Sequence, residues 1–269
     1  MSNSFAVLGV GNMARAIIAG IVSADINVSE FFLYDKFAQA CKPFENEEKF
    51  VIKDSITSAV EKADCVLISV KPQNYAEVLN DIKSAKDYDK KLYISIGAGI
   101  TSESVSNALN GANVIRVLPN LPMTIGQGVS VICRNEKVLA SDFDFVNSVF
   151  SSSGSTLIID EKDMNATIGV TSSSPAYVFK FIDAIYKGAI SQGISTDGLI
   201  NAICDVFIGS AMLLKQSGEA PEVLISKVAS KGGTTEKALA VLEERDVDGI
   251  ISDAMTACTK RADELGNNK

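Results

Sequence analysis

The segment FAVLGVGNMAR, residues 5–15, runs from an apolar stretch through a Gly-x-Gly-x-x-Ala pattern into a helix-forming stretch. Its four consecutive apolar residues, Phe5 to Leu8, predict a strand that is covered on both faces. Gly9 permits a tight turn, and Gly11 has no Cβ, so a pyrophosphate can approach the backbone closely. The same pattern also fits a strand-to-helix turn without a ligand, but in this context we favour a bound dinucleotide.

The helix after this turn completes the predicted phosphate site. Ala14 is small enough to let the helix pack against the strand. The free N–H groups at the helix start are expected to face the phosphates, whose negative charge the helix dipole favours. The cofactor-binding residues predicted in this loop are Gly9, Gly11, Asn12 and Met13.

The composition limits the function. The chain has 25 basic and 33 acidic side chains and a formal net charge of −8, so it repels phosphate backbones and we expect no nucleic-acid partner. It has no histidine, which excludes Ser-His-Asp and Cys-His catalysis and removes the commonest zinc ligand. We therefore expect no metal site, and any chemistry must proceed without imidazole.

The cysteines and the apolar runs bear on the compartment. Five scattered cysteines, none spaced Cys-x-x-Cys, suit reduced thiols better than a disulfide framework. No apolar run reaches about 18 residues, so we expect no membrane span, and the N-terminus passes directly into the first strand without a basic leader. These features predict a cytoplasmic protein.

Strands and helices alternate through the first half of the sequence. The predicted strands are 31–34, 65–70, 92–96 and 114–118, and the predicted helices are 55–62, 75–82 and 102–109. This alternation predicts an α/β fold with a parallel sheet covered on both faces, extended by 129–133, a helix near 142–150 and 156–159. Ligands of such sheets bind beyond the C-terminal ends of the strands. The loops there are Gly9–Met13, Asp35–Lys36, Ser69–Gln73, Gly97–Thr101 and Pro119–Asn120.

The pattern changes near Asp160, after which no segment is strand-like. We therefore predict a Rossmann-type dinucleotide-binding domain over 1–160 and an all-helical domain over 161–269. Ser174 precedes Pro175 as an expected helix N-cap. Leu199 to Leu214 is apolar almost all round, and a helical domain of this size has little room to enclose it. We expect a second subunit to cover it, so the helical domain is a dimerisation domain.

A second cluster, VASKGGTTE at residues 228–236, lies between helices. Its two glycines, Gly232 and Gly233, allow N–H groups to converge in an anion-binding nest, and the next helix adds its own free N–H groups. With the hydroxyls of Ser230, Thr234 and Thr235, the segment could hold a small carboxylate. Taken alone, the segment is better explained as a helix N-cap after a flexible turn.

Residues 221–244, with this Ser-x-Gly-Gly-Thr-Thr core, resemble the signature of the pyrroline-5-carboxylate reductases. Other matching motifs are GVGNM at 9–13, VKPQ at 70–73, RVLPN at 116–120 and SPAY at 174–177. The resemblance covers nearly the whole chain in collinear order. It implies a Rossmann domain with a helical dimerisation domain, homodimers that often stack into rings, and NAD(P)H-dependent reduction of 1-pyrroline-5-carboxylate to proline.

The resemblance also implies roles for single residues. Thr235 is expected to hydrogen-bond at the substrate nitrogen, and Lys71 with Pro72 to contact the nicotinamide ribose and the reacting ring rather than form a plain surface turn. Asn120 fits turn chemistry or a hydrogen bond to the cofactor, and we favour the second. The further cofactor-binding residues are Ser69, Val70 and Ala98, and the substrate-binding residues are Ser230, Gly232, Gly233, Thr234 and Thr235.

The choice of nicotinamide cofactor rests on two neighbouring residues. Asp35 is placed to accept a hydrogen bond from a ribose 2′-OH, which favours NADH, whereas Lys36 is placed to pair with a 2′-phosphate, which favours NADPH. We predict NADPH and leave NADH open.

The chain departs from the family pattern at some positions. Lys231 stands where the family usually has proline, Ser172–Ser174 replaces a run richer in glycine, and a frequent asparagine is not evident near Asp54. These departures bear on cofactor affinity and loop rigidity more than on reaction class. Two alternatives stay open: a non-catalytic dinucleotide-binding regulatory protein of the same fold, and a related imine or hydroxy-acid reductase with another substrate.

Overall fold

The computed structural model describes residues 3–134 and 137–267. Its strands are β1 (Asn3–Leu8), β2 (Val28–Tyr34), β3 (Phe50–Ile52), β4 (Cys65–Ile68), β5 (Leu92–Ser95), β6 (Asn113–Leu118), β7 (Gly128–Arg134) and β8 (Gly154–Ile158). Its helices are α1 (Asn12–Ser23), α2 (Ile56–Lys62), α3 (Tyr75–Ile82), α4 (Ser102–Ala108), α5 (Ala140–Ser151), α6 (Met164–Thr167), α7 (Ser174–Ser191), α8 (Leu199–Ser217), α9 (Pro221–Val228), α10 (Thr234–Glu244) and α11 (Val247–Asn267).

The strands form one sheet in the order β3-β2-β1-β4-β5-β6-β7-β8. The chain fills one side of β1 with β2 and β3, then crosses to β4 and continues outward, so the strand order reverses between β1 and β4. A parallel sheet binds ligands at such a switch point, beyond the carboxyl ends of the strands. The predicted α/β fold with an N-terminal Rossmann-type sheet is confirmed.

Strand β1 is buried on both faces, as its four apolar residues predict. Phe5 and Val7 belong to an apolar cluster with α1 and α5, whereas Ala6 and Leu8 belong to a second cluster with α2, α3 and α4. All four side chains have no exposed surface. The two layers of helices fix β1 in the centre of the sheet and fix the loop that follows it.

Three local features differ from the expectations. Strand β3 lies at the sheet edge and was not predicted, and β7 pairs with β6 antiparallel, whereas the other neighbouring strands are parallel. Ser174 is the first residue of α7 rather than its N-cap, since the π-helical turn Ile168–Ser172 precedes it. The Ser174 hydroxyl donates to the carbonyl of Val170 at 2.6 Å instead of accepting from the helix start.

The described residues form two compact units. One comprises the sheet with residues up to Pro175 and from Met255 onward, and the other comprises Ala176–Ala254. No strand follows β8 in the described part of the chain. The division between 1–160 and 161–269 stays a prediction.

Helix α8 stands out in the second unit. Only Ile203 is buried among its residues, although most of its side chains are apolar. By length and composition alone the helix could cross a membrane. The sequence-based expectation that the chain has no candidate membrane span was therefore wrong on these two criteria. A single such helix is weak evidence, because the core helix of a soluble protein passes the same test.

Candidate active site

The glycine loop after β1 contains two glycines in different surroundings. Gly9 has a φ of +92°, donates its N–H to the Tyr34 carbonyl at 2.8 Å, and would place a Cβ 2.7 Å from the Ser69 carbonyl oxygen. Gly11 has an ordinary φ of −77°, and a Cβ there would meet nothing within 4 Å. The protein itself therefore requires glycine at position 9, whereas at position 11 glycine leaves open space for a ligand.

A cavity of about 460 Å³ begins at this loop. Seven of the predicted cofactor-binding residues line it: Gly9, Gly11, Asp35, Lys36, Ser69, Val70 and Lys71. Gln73, the last residue of the predicted loop Ser69–Gln73, also lines it, but sequence reasoning missed a second group on its wall, from the loop after β2 and from α3 with the turn before it, namely Phe37, Asn74, Glu77 and Asp81. The amphipathic pattern of α3 predicts which of its faces is buried, but it does not indicate that its polar face lines a cavity.

A second cavity of about 260 Å³ adjoins the first along Ser69–Lys71. It is lined by two more of the predicted residues, Met13 and Ala98, and otherwise mainly by apolar side chains. Two cavities that share the wall Ser69–Lys71, with the first-turn N–H groups of α1 near the switch point, suit a dinucleotide with its pyrophosphate at the helix start.

Three predicted cofactor-binding residues do not line either cavity. Asn12 and Pro72 adjoin lining residues in the chain. Asn120 is buried; its amide donates to the Thr171 carbonyl at 3.0 Å and accepts from the Val129 N–H at 2.9 Å. Both ends of its side chain bind backbone groups distant in the sequence, so Asn120 links β7 to the π-helical turn before α7, and its contact with a cofactor stays a prediction.

Asp35 is held by the backbone on both sides. One carboxylate oxygen accepts from the Val10 N–H at 2.7 Å, and the other accepts from the Phe37 N–H at 2.8 Å. The side chain thus ties the glycine loop to the loop after β2. Its neighbour Lys36 extends toward α3, where its Nζ lies 4.0 Å from Oε1 of Glu77.

Tyr75 fixes the ends of two strands beside the second cavity. Its buried hydroxyl accepts from the Gly97 N–H at 2.8 Å and lies 3.1 Å from both the Ile68 carbonyl and the Ser95 hydroxyl. Burial raises the pKa of Tyr75 to about 12, so the hydroxyl keeps its proton. A Cβ on Gly97 would lie 2.7 Å from the Tyr75 ring. This packing holds the loops after β4 and β5 in place.

A buried ion pair lies further along the sheet. Arg116 on β6 is 1% exposed and donates to Glu161 at 2.9 Å, and the Cys133 thiol on β7 donates to the other oxygen of Glu161 at 2.7 Å. Burial raises the pKa of Glu161, but the hydrogen bonds from Cys133 and Arg116 outweigh burial and hold that pKa below its usual range. The same burial raises the pKa of Cys133, so it stays a thiol.

The glycine-rich loop before α10 is described by itself. Gly232 has a φ of +74°, and its N–H donates to the carboxylate of Glu236, while the Gly233 N–H donates to the Ser230 carbonyl at 2.9 Å. The N–H groups of both glycines therefore have acceptors within the chain, Glu236 and Ser230, and neither is free to bind the carboxylate of a substrate. The donors left for an anion are the first-turn N–H groups of α10, beginning with Thr234 and Thr235.

Acidic and thiol side chains do not gather into a metal site. Across 3–134 and 137–267, there is no cluster of three or more histidine, cysteine, aspartate or glutamate side chains that could hold a metal ion.

Two family models match the chain. The model for pyrroline-5-carboxylate reductase dimerisation matches residues 161–265, and the model for NADP oxidoreductase, coenzyme F420-dependent, matches residues 4–99. The second match covers the glycine loop and the strands that form most of the larger cavity.

Relatives that match over their full length are also pyrroline-5-carboxylate reductases. The chain is 30% identical to the pyrroline-5-carboxylate reductase of Escherichia coli over 100% of both chains, and 32% identical to that of Haemophilus influenzae over 97% of this chain and 96% of the relative. The solved Plasmodium falciparum pyrroline carboxylate reductase with NADP bound is 27% identical, has a TM-score of 0.88 and covers 98% of each chain. A reductive aminase from Aspergillus terreus, 14% identical with a TM-score of 0.54, shares the fold.

Proposed function

This chain belongs to the pyrroline-5-carboxylate reductase family, and from that premise we propose which of its residues hold the cofactor and which hold the substrate. The enzyme reduces the C=N bond of 1-pyrroline-5-carboxylate with NADPH and gives L-proline, the last step of proline biosynthesis. The observation that carries the proposal is the open space at Gly11 within the larger cavity.

The cleft residues hold the cofactor. The backbone of Gly9, Gly11, Asn12 and Met13 cradles the pyrophosphate, since the first-turn N–H groups of α1 have no partner in a preceding turn. The segment Ser69–Pro72 and Ala98 flank the nicotinamide half. When bound, NADPH supplies a hydride to the imine carbon. Lys71 lies where the two cavities meet, and its backbone and side chain orient the ribose and the reacting ring.

The loop before α10 holds the substrate. The N–H groups of Thr234 and Thr235 and the hydroxyls of Ser230 and Thr234 bind the carboxylate, and the helix dipole favours its negative charge. Gly232 and Gly233 shape the loop, because a Cβ on Gly233 would lie 2.6 Å from the Ser230 hydroxyl. The hydroxyl of Thr235 hydrogen-bonds the substrate nitrogen.

The reaction does not require a strong general acid in the protein. A cyclic imine is protonated readily in water and binds with its nitrogen already carrying the proton. The residues then contribute by orienting the substrate and by stabilising charge. Both effects lower the activation barrier of hydride transfer without a proton transfer from the protein. This division of labour suits a chain that has no histidine.

An NADPH oxidation assay with pyrroline-5-carboxylate tests the proposal. We expect imine-dependent loss of NADPH absorbance, and a panel of other cyclic imines and 2-keto acids separates this activity from that of a related reductase. Nucleotide binding without turnover on any of these compounds would indicate the regulatory alternative, for which Lys231 and the run Ser172–Ser174 are the motivation. Absence of both binding and turnover in folded protein rules out the assignment.

The assembly is oligomeric, since the dimerisation family model matches residues 161–265. We propose a homodimer built on the exposed apolar surface of α8, with dimers stacking into a ring. We also propose that the enzyme works in the cytoplasm and away from membranes. Five free cysteines, three of them buried, support this compartment, because they suit a reducing environment.

A further inference from the structure

Two exposed, oppositely charged side chains from different elements line the larger cavity. Lys36 follows β2, and Glu77 lies in the first turn of α3. Their Nζ and Oε1 atoms are 4.0 Å apart, and both side chains are more than two-thirds exposed. The pair is therefore hydrated and movable, and an incoming ligand can displace it.

Asp35 is not free to respond to the ligand in the same way. Each of its carboxylate oxygens already accepts a backbone N–H, from Val10 and from Phe37. Losing either bond would leave part of the glycine loop or of the loop after β2 without its anchor. Asp35 is thus a fixed negative charge that shapes the site, and the adjustable charges beside it are those of Lys36 and Glu77.

NADPH and NADH differ only by the phosphate on the adenosine ribose, and that ribose lies beyond the end of the second strand in this kind of sheet. The charges that line the cavity give no net attraction for a phosphate. Three of them are carboxylates, Asp35, Glu77 and Asp81, and two are ammonium groups, Lys36 and Lys71. Lys36 is the cation next to the end of β2. Glu77 holds that cation and adds a negative charge of its own.

We propose that Glu77 determines how strongly this enzyme prefers NADPH over NADH, by competing with the 2′-phosphate for Lys36. The proposal rests on the assignment of this cavity to the dinucleotide. The carboxylate of Glu77 weakens binding of the phosphorylated cofactor and leaves binding of NADH unaffected. Removing the charge of Glu77 releases Lys36 to the phosphate.

Equilibrium binding separates this role from a general effect on the site. We expect Glu77→Gln to lower the Kd for NADPH by about three- to fivefold at low salt and to change the Kd for NADH by less than about twofold. Lys36→Gln should raise the Kd for NADPH by a similar factor. In the double variant the Glu77→Gln gain should disappear, because there is no cation left to release.

Two controls complete the experiment. Glu103→Gln removes an exposed carboxylate from the first turn of α4, outside both cavities, and should leave both Kd values unchanged. The NADPH-specific gain of Glu77→Gln should shrink as salt rises, since exposed charges are screened. Equal changes in both Kd values, or a gain that persists without Lys36, would overturn the proposal. Failure of the wild-type protein to bind either nucleotide would instead contradict the proposed function.

Discussion

Gly9 and Gly11 stand two residues apart in the same loop, and their backbones give them different tasks. Gly9 has a positive φ, and a Cβ there would lie 2.7 Å from the Ser69 carbonyl oxygen, so any side chain at this position strains the fold. Gly11 occupies a region open to every residue, with empty space where its Cβ would be. The Gly-x-Gly-x-x-Ala pattern indicates the same division, a tight turn at the first glycine and open space at the second, and the dihedral angles and surroundings of the two residues agree with it.

Substitution should separate a structural glycine from a ligand-binding one. We expect Gly11→Val to abolish NADPH binding while lowering the thermal midpoint only slightly, because its side chain enters the pyrophosphate position and its Cβ has no protein atom within 4 Å. Gly9→Ala should mainly lower the thermal midpoint, because of the strained φ and the close carbonyl. The measurements are a fluorescence titration with NADPH and a melting curve for each variant. Unimpaired NADPH binding by folded Gly11→Val would remove this loop from the cofactor site.

Thr235 tests the substrate half of the site. Thr235→Ala should lower kcat/KM for the imine by tenfold to a hundredfold, or about 1.5–3 kcal/mol, because it removes one positioned hydroxyl from a polar substrate group. The Kd for NADPH should stay within twofold of the wild-type value. Steady-state kinetics with varied imine and a nucleotide titration give both numbers.

The structure also provides the control for Thr235. The N-cap of α10 is Gly233, so the Thr235 side chain is not the helix cap, and its loss should not appear as a loss of stability. Thr235→Ser keeps the hydroxyl and should recover most of the activity. Wild-type kcat/KM in Thr235→Ala would require another residue at the substrate nitrogen.

At the residue scale, sequence reasoning placed most side chains at the cleft but could not see their hydrogen bonds. The position of Asp35 after β2 follows from the alternation of elements, whereas its two backbone partners depend on how the loops fold back. Asn120 is a similar case, since an amide can bind a ligand or a backbone equally well. The role of Glu236 was not predicted, because its hydrogen bond with the Gly232 N–H depends on how the loop folds and not on the sequence pattern.

At the scale of elements, the pairing of β6 with β7 depends on a buried ion pair as well as on backbone hydrogen bonds. Arg116 lies opposite Cys133 in the antiparallel register, and both bind Glu161, which begins the 3₁₀ turn Glu161–Asp163 after β8. The charge of Arg116 is fully buried, so it needs this partner. The cluster joins two strands to the segment that leaves the sheet.

Removing the partner should make the sheet less stable and change its response to acid. We expect Glu161→Gln to lower the free energy of unfolding by about 3 kcal/mol at pH 7, because Arg116 is left buried without a counter-charge. The pKa of Glu161 is lowered in the folded state, so its contribution is complete above the unfolded pKa of about 4.3 and is lost as the pH falls below it. Urea unfolding at pH 7 and near pH 3.5 measures both effects.

The control for the ion pair is an exposed carboxylate of the same kind. Glu48→Gln, in the charge-rich segment before β3, should change stability little at either pH. The gap between wild type and Glu161→Gln should narrow as the solution is acidified. A gap that stays constant between the two pH values would mean that Glu161 acts through packing and not through its charge.

The elements that the sequence did not predict have physical explanations. β3 has only three residues at a sheet edge, which is too short to show a period of two. The direction of β7 could have been predicted. An apolar strand sequence does not indicate the direction of the strand, but the length of the connection before it does. Residues 119–127 are too few for the crossover that a parallel pair requires, so the antiparallel pairing was available from chain length.

At the scale of the whole molecule, α8 leaves an apolar surface exposed that we expect a second subunit to cover. Val206 and Leu213, two turns apart on one face of α8, are 65% and 56% exposed, and apolar side chains on other faces are exposed as well. A soluble monomer rarely leaves so much contiguous apolar surface in water. The sequence predicted this because a helix that is apolar all round has to be covered.

A charge on this face should therefore separate the subunits. We expect the wild-type protein to sediment as a dimer, or as a multiple of dimers, at micromolar concentration. Val206→Glu should shift it toward monomer, because the carboxylate would be buried without a partner in the interface. Ile125→Glu, which changes an exposed residue beside the sheet, is the matched control and should keep the wild-type state. Circular dichroism confirms that each variant is folded, and a wild-type chain that sediments as a stable folded monomer would contradict the dimer and with it the role given to α8.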